Sequence, residues 1–383
     1  MHQKHPKLAR PRLGYYARTE FALVGSTCAR METVMDRWRT ALEDRYRCLC
    51  VTGEHREQEV ATRQRFDRKT FTCGPARWNG FDDRLLGGQF DLALVNGNHY
   101  PAVRQIVFVD AAKAGTLERR REQLTDVAAV VLVDGEVPEW LREVIGRQGK
   151  APTLIEIDRV DALLPLVERA AREAIPPLRA LLLAGGKSQR MGRDKAQLVY
   201  RNGQTEVERL RVACEGLGLS VNLSVRAVGE GSDVGKASDV GEGGSNRDLP
   251  VIEDRFLGLG PAGAICSAFL IDPDAAWLVL ACDLPLLDAE TLSTLIEARR
   301  TDRVATAVRG PQKEWPEPLV AIYEPRAYQR LLQFVGLGYS CPRKLLINSA
   351  VEVVELTDGR PLTNANTPEE RQWVLGQLSG SDR

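Results

Sequence analysis

Short, unbroken apolar runs alternate along this chain with stretches in which apolar residues return every three or four positions. The first kind occurs at Phe21–Val24, Cys48–Val51, Leu92–Val95, Ile106–Val109 and Ala128–Val133. A second series follows at Ala180–Leu183, Leu278–Ala281 and Leu319–Tyr323, together with Val221–Val225 and Val304–Val308, which Asn222, Ser224 and Thr306 interrupt. The second kind includes Met31–Leu42, Thr205–Leu217 and Ala289–Arg300. Apolar runs without polar alternation predict strands covered on both faces, and helical periods between them predict the covering layers. The pattern occurs in both halves of the chain, so it predicts two α/β domains.

The helix-like stretch Ala162–Glu173 ends at Ala174-Ile175-Pro176-Pro177, and the Pro-Pro pair cannot continue a helix. The predicted domains are therefore 1–174 and 175–383. Within the second, Gly229–Asn246 is rich in Gly, Ser and Asp and repeats Ser-Asp-Val-Gly at 232–235 and 238–241. With no apolar period, residues 228–247 read as a mobile surface insertion.

Composition narrows the class. A chain of 383 residues exceeds one ordinary domain, and 43% hydrophobic with 27% charged residues is a globular mixture. Lys and Arg number 52, as do Asp and Glu, so no overall basic field attracts nucleic acid or a membrane surface. Cys28, Cys48, Cys50, Cys73, Cys214, Cys266, Cys282 and Cys341 form no CxxC pair or Cys/His ladder, against a zinc site and for reduced thiols. The start of the chain lacks the apolar core of a secretory signal, and no uncharged run reaches the length of a membrane span. A soluble, cytoplasmic protein is expected.

The candidate chemistry lies where the strand Ala180–Leu183 runs into Ala184-Gly185-Gly186. Glycines directly after a strand let the backbone approach a phosphate or base and aim successive N–H groups at it. Lys187, Arg190, Arg193 and Lys195 follow, cations suited to a triphosphate. Gly186-Lys187-Ser188 imitates the end of a P-loop, but that motif requires glycine at the position of Leu181.

The longer pattern Leu183-Ala184-Gly185-Gly186-Lys187-Ser188-Gln189-Arg190-Met191-Gly192-Arg193-Asp194-Lys195 resembles the signature of the GT-A-like nucleotidyltransferases, most closely the molybdenum cofactor guanylyltransferases. Further matches follow in order: Val251-Ile252-Glu253-Asp254, then Gly260-Pro261-Ala262-Gly263, which lacks the family's Leu; Cys282-Asp283-Leu284-Pro285 ending a strand; Pro316-Glu317-Pro318-Leu319; Cys341-Pro342-Arg343-Lys344; and Asn364-Ala365-Asn366-Thr367-Pro368-Glu369. The resemblance implies a Rossmann-like, GT-A-like fold with a mostly parallel sheet for the second domain. It implies GMP transfer from GTP to molybdopterin or Mo-molybdopterin, with release of pyrophosphate. Leu183, Ala184, Gly185, Gly186, Lys195, Asp254 and Asp283 would bind the nucleotide, Arg190, Lys195 and Asp283 would be catalytic, and Asp283 would hold Mg2+. Arg343, Asn364 and Asn366 would meet the acceptor.

The residues themselves agree with this at several points. An Asp at the carboxyl end of a parallel strand stands where open α/β sheets bind ligands, and a hard carboxylate suits Mg2+. Thr367 reads equally as a helix N-cap, with Pro368 at N1 and Glu370 at N3. Related cytidylyltransferases carry Leu-Ala-Ala-Gly and Gly-Asp-x-Pro; the second glycine here leaves more room and favours a purine. Two alternatives stand beside this reading: a cytidylyltransferase or other NTP:phospho-acceptor enzyme on the same scaffold, and a non-catalytic carrier of the molybdenum cofactor.

In the first half, Phe21-Ala22-Leu23-Val24-Gly25-Ser26-Thr27-Cys28 reads as a strand running into a nucleotide-type loop. Aligned on Gly25, a P-loop would need Gly, Lys and Ser/Thr where Arg30, Met31 and Glu32 stand, so triphosphate hydrolysis is not expected. Val95-Asn96-Gly97 follows a second strand. The arrangement is similar to the GTP-binding adaptor proteins of molybdopterin-guanine dinucleotide synthesis, with a degenerate P-loop and Asn96 in place of a Glu. A degenerate, structural or docking domain is expected, with a working nucleotide site built from other residues as the alternative. For the chain as a whole, molybdo-enzyme apoproteins or cofactor-insertion factors are the further partners the resemblance implies. His99 reads as a hydrogen-bonded surface group at a strand end.

Overall fold

The computed structural model describes residues 7–53, 62–66, 69–73, 77–184, 199–201, 203–226, 249–365 and 367–380. The chain divides into two compact units, one spanning Arg12–Ile175 and the other built from Pro176 onward together with the described N-terminal residues 7–11. Each has its own sheet and its own core.

The first unit runs β1 (Thr19–Val24), α1 (Cys28–Leu42), β2 (Cys48–Val51), the antiparallel pair β3 (Thr62–Phe66) and β4 (Lys69–Cys73), α2 (Gly80–Gly87), β5 (Leu92–Asn96), β6 (Arg104–Val109), α3 (Ala114–Glu118), β7 (Val127–Leu132), α4 (Glu139–Arg147), β8 (Thr153–Glu156) and α5 (Leu164–Glu173). Six strands form one parallel sheet in the order β2-β5-β1-β6-β7-β8. Every residue of β1 and β5 is buried, which is why these strands read as unbroken apolar runs. Thr27 caps α1 by accepting the Arg30 N–H (3.3 Å). Met31, Val34, Met35, Trp38 and Leu42 then fall on one face and fill the core over the sheet.

The second unit runs β9 (Leu178–Leu183), the antiparallel pair β10 (Val199–Arg201) and β11 (Gln204–Thr205), α6 (Glu206–Gly216), β12 (Ser220–Val225), β13 (Val251–Glu253), α7 (Pro261–Ile271), β14 (Ala276–Ala281), α8 (Ala289–Glu297), β15 (Ala305–Arg309), β16 (Val320–Tyr323), α9 (Arg326–Gly336), α10 (Pro342–Ile347), β17 (Val351–Glu355) and α11 (Pro368–Gly380). Its seven-stranded sheet has the order β13-β12-β9-β14-β16-β15-β17. All neighbours are parallel except β16, which is antiparallel to both β14 and β15. The mostly parallel α/β sheet expected from the sequence is present. The antiparallel strand follows from its connection: residues 310–319 contain three prolines and no helical period, too little for a crossover back to a parallel strand.

One core cluster contains α7, α9 and α10 with one set of strand side chains; another contains α6 and α8 with the other set. Helix α7 is buried from Ala262 to Phe269, hence apolar around nearly its whole circumference. The stretch expected to be a mobile insertion, 228–247, lies outside the described residues. Among the described residues no helix is long and apolar enough to cross a membrane.

Candidate active site

Strand register decides what can meet. In β9 and β14, Leu183 stands opposite Ala281; in β12 and β13, Ser224 pairs with both Leu183 and Ile252. Four parallel strands therefore end at one edge, and the chain after each leaves the sheet there. Leu183 and Ala184, both partly buried, mark the exit of β9. Gly185, Gly186, Arg190 and Lys195 lie outside the described residues, as does Asn366. Asp254 and Asp283 follow β13 and β14 at this same edge, the region where open parallel sheets bind ligands.

Asp283 is half-buried between buried Cys282 and buried Leu284. Its carbonyl accepts the Ala365 N–H (3.1 Å), which ties the Asn364–Thr367 segment to the metal-candidate loop. Ala365 is buried in a small cluster with Tyr200 and Val374, while Asn364 beside it is exposed. The expected cap on α11 is present: Thr367 Oγ1 accepts the Glu370 N–H (3.2 Å) and Glu370 Oε2 accepts the Thr367 N–H (3.0 Å).

Asp254 does local work. Its Oδ1 accepts the Phe256 N–H (2.9 Å), and Ser267 Oγ approaches it at 3.1 Å while accepting the Arg255 N–H (2.8 Å). The turn after β13 is thereby fastened to α7. Gly263 is required there: a Cβ would stand 2.3 Å from the Phe256 carbonyl and 3.1 Å from both Asp254 oxygens. Gly260, at the N-cap of α7, has φ +59°, the left-handed region that glycine tolerates.

Glu317, a residue the motif comparison named without a role, faces the same space. Burial holds its carboxyl above the usual range; the Leu319 N–H and Arg343 oppose this, and the charge of Asp283 adds to it. Arg343, expected to meet the acceptor, pairs with Glu317 (Nη2 to Oε2, 3.3 Å) and is half-exposed. The buried Tyr323 hydroxyl donates to the Pro318 carbonyl (2.9 Å) and fixes the turn that carries Glu317. Tyr200 is also drawn into the site. Burial raises its phenol, Arg371 opposes this, and Glu206, Asp283 and Glu370 push it further up. Its hydroxyl has no hydrogen-bond partner among the described residues, and the Arg371 guanidinium stands 5.7 Å from its ring centroid.

Among the described residues no group of three or more His, Cys, Asp or Glu side chains is placed to hold a metal. Mg2+ does not require one, since it binds through one or two carboxylates and completes its shell with phosphate oxygens and water. Asp283, a half-buried carboxylate with Glu317 adding to the local negative charge, meets that requirement.

In the first unit, the loop after β1 is closed on its own side chains. Gly25 has φ +100°, and a Cβ there would stand 2.3 Å from the Phe108 carbonyl. Arg30 Nη1 donates to Ser26 Oγ (2.9 Å) and to buried Asp110 Oδ2 (2.6 Å). Buried Asn96 donates to Glu32 Oε1 (3.0 Å). Met31 stands where a P-loop would have its lysine and is buried in the core, and the cation beside it, Arg30, is already neutralised by a carboxylate. His99 is hydrogen-bonded, as expected, and partly buried, with Nε2 3.3 Å from Cys28 Sγ.

Comparison with known proteins places these features in a family context. The family described as MobA-like NTP transferase domain matches residues 180–353. The chain is 32% identical over 197 residues to a molybdenum cofactor biosynthesis bifunctional protein of Synechocystis, across 51% of this chain and 52% of that one. It thus spans about half the length of that relative. It is 30% identical over 208 residues to a molybdenum cofactor guanylyltransferase of Pseudomonas aeruginosa, across 51% of this chain and 93% of that protein. The crystal structure of molybdopterin-guanine dinucleotide biosynthesis protein A from Archaeoglobus fulgidus superposes with a TM-score of 0.43 at 20% identity, covering 53% of this chain and 99% of that one.

Proposed function

Because the chain belongs to the molybdenum cofactor guanylyltransferase family, we propose that its second unit transfers GMP from GTP to the terminal phosphate of molybdopterin or Mo-molybdopterin, releasing pyrophosphate. The observation that carries this reading is the shared edge. The strand leading into the glycine-rich signature and the strand leading into Asp283 end side by side in register; the charge of Asp283 acts on Glu317, which pairs with Arg343.

The attacking group is a phosphate, already anionic near neutral pH, so no general base is needed. What the protein must supply is alignment for in-line attack at the α-phosphorus and neutralisation of crowded charge. Gly185 and Gly186 bring the backbone against base and ribose. Lys195 and Arg190 bear on the triphosphate. Arg343, Asn364 and Asn366 receive the acceptor, and Glu317 keeps Arg343 oriented until the acceptor phosphate competes for it. Asp283 would hold Mg2+, which would offset the charge of the triphosphate. The first unit acts as a docking domain for molybdo-enzyme apoproteins or insertion factors, in keeping with a loop whose polar groups are already paired. We place the protein in the cytoplasm, where the resemblance puts it.

The test is pyrophosphate release from each NTP in the presence of Mg2+ and molybdopterin. GTP is the expected substrate, and preference for CTP would overturn the base assignment. Asp283→Ala should lower turnover by at least ~100-fold; undiminished guanylylation by that variant would refute the Mg2+ role.

A further inference from the structure

Two buried Arg–Glu pairs brace the second unit, one at each end of its sheet. At the carboxyl edge, Arg209 of α6 donates to Glu206 through Nε (3.0 Å to Oε2) and Nη2 (2.8 Å to Oε2). The side chains are 15% and 1% exposed. The same guanidinium donates to two backbone carbonyls, from Nη1 to Leu287 (2.5 Å) and from Nη2 to Leu284 (3.1 Å). Those carbonyls bracket the turn that begins directly after Asp283, itself closed by Leu287 N–H to the Leu284 carbonyl (3.0 Å). On the other flank the carbonyl of Asp283 is held by the Ala365 N–H. The backbone around Asp283 is thus gripped from both sides, at the edge of the sheet where β9 also ends.

At the amino edge, Arg299 forms the matching pair with Glu324 (2.6 and 2.9 Å; 13% and 1% exposed) and donates to the Pro176 carbonyl (2.9 Å). Pro176 precedes β9, and Glu324 follows Tyr323, which stands opposite the first residues of β14 and β15. The chemistry and burial of the two pairs are alike, but only one of them touches the Asp283 turn.

We propose that Arg209, neutralised by Glu206, is the positioning residue of the transfer: it sets the direction of the Asp283 carboxylate toward the metal–triphosphate. This rests on the reading of Asp283 given above. A guanidinium is needed because its planar fork reaches a carboxylate and two carbonyls at once, which an ammonium cannot do. Glu206 is needed because an unpaired guanidinium at this burial would carry an uncompensated charge.

The test uses the full chain, with Arg209→Lys, the double variant Glu206→Gln/Arg209→Met that removes the pair together, and Arg299→Lys as the matched control. Methylanthraniloyl-GTP is titrated by fluorescence at increasing Mg2+, with no acceptor present; thermal midpoints and the kcat and KM of pyrophosphate release are recorded beside it. Both Arg209 variants should need about tenfold more Mg2+ for half-maximal binding of the analogue, with a reduced kcat, since loss of a group that orients a metal ligand costs about 10–100-fold in affinity or activity. Raising Mg2+ should restore the KM for GTP. Arg299→Lys should lower the thermal midpoint and leave the Mg2+ requirement unchanged. Arg209 variants with a wild-type Mg2+ requirement, or an equal shift in Arg299→Lys, would overturn the proposal alone. Wild-type protein that binds the analogue equally well without Mg2+ would overturn the reading of Asp283 and this proposal with it.

Discussion

At the scale of single residues, two positions near the site give distinct tests, one steric and one electrostatic. At Gly263 any side chain meets the Phe256 carbonyl, a backbone atom that cannot rotate away. Gly263→Ala should therefore cost about 1–3 kcal/mol of stability, as overpacking does, measured by urea denaturation. A variant of wild-type stability would show that the turn after β13 yields easily. Glu317 gives a pH signature. Desolvation first, and the charge of Asp283 with it, raise its carboxyl above the ordinary range despite Leu319 N–H and Arg343. The folded chain then holds this proton more tightly than the unfolded chain does. Stability contributed at Glu317 is full below the ordinary carboxyl value and is lost as pH rises through the raised folded value. Glu317→Gln, neutral throughout, should gain on the wild type in metal-free thermal midpoints as pH rises above about 4, the ordinary carboxyl value; a gap that narrows with rising pH would reverse the assignment. Neither the burial of Glu317 nor the reach of Arg209 was legible in the sequence, because both depend on which strands the topology makes neighbours. Asp283 was legible, because an acid directly after a strand fixes its own place at the sheet edge.

At the scale of elements, most of the readable strands were buried on both faces, although β2 and β12, also read from the sequence, are only partly buried. β1, β5, β9 and β14 announce themselves as apolar runs. β8, β13 and β17 do not, since exposed or half-exposed positions break their pattern at the sheet margins. The direction of β16 was readable in principle from the helix-free link before it. The start of α11 was read correctly because a cap is local chemistry, needing only Thr367 and Glu370 at the right spacing. It also has a consequence beyond the helix: α11 contributes Val374 to the cluster that buries Ala365, whose N–H holds the Asp283 carbonyl. Thr367→Ala should lower stability by ~0.5–2 kcal/mol, and Thr367→Ser, which keeps the acceptor oxygen, should recover most of it. Equal losses in both variants, read by urea unfolding, would mean that the hydroxyl is not what caps the helix.

At the scale of the whole molecule, the two units divide the chemistry unequally. The match to MobA-like NTP transferase domains, at 180–353, lies inside the second unit, as do Asp254, Asp283, Glu317, Arg343 and both bracing Arg–Glu pairs. That unit has a complete sheet and closed cores of its own, the requirements for independent folding. A chain beginning at Ala174 keeps the Pro176 carbonyl that Arg299 binds. It should unfold cooperatively and release pyrophosphate from GTP and molybdopterin at a rate comparable to the full chain. The complementary fragment, Arg12–Ile175, has Arg30 committed to Asp110 and Ser26, and should show no binding of methylanthraniloyl-GTP. What deletion should remove is delivery: transfer of the finished dinucleotide to an apo-molybdoenzyme in a reconstituted system, with synthesis intact. A folded second unit that has lost turnover would instead make the first unit part of the catalytic machinery, and nucleotide binding by the isolated first unit would show that its loop opens.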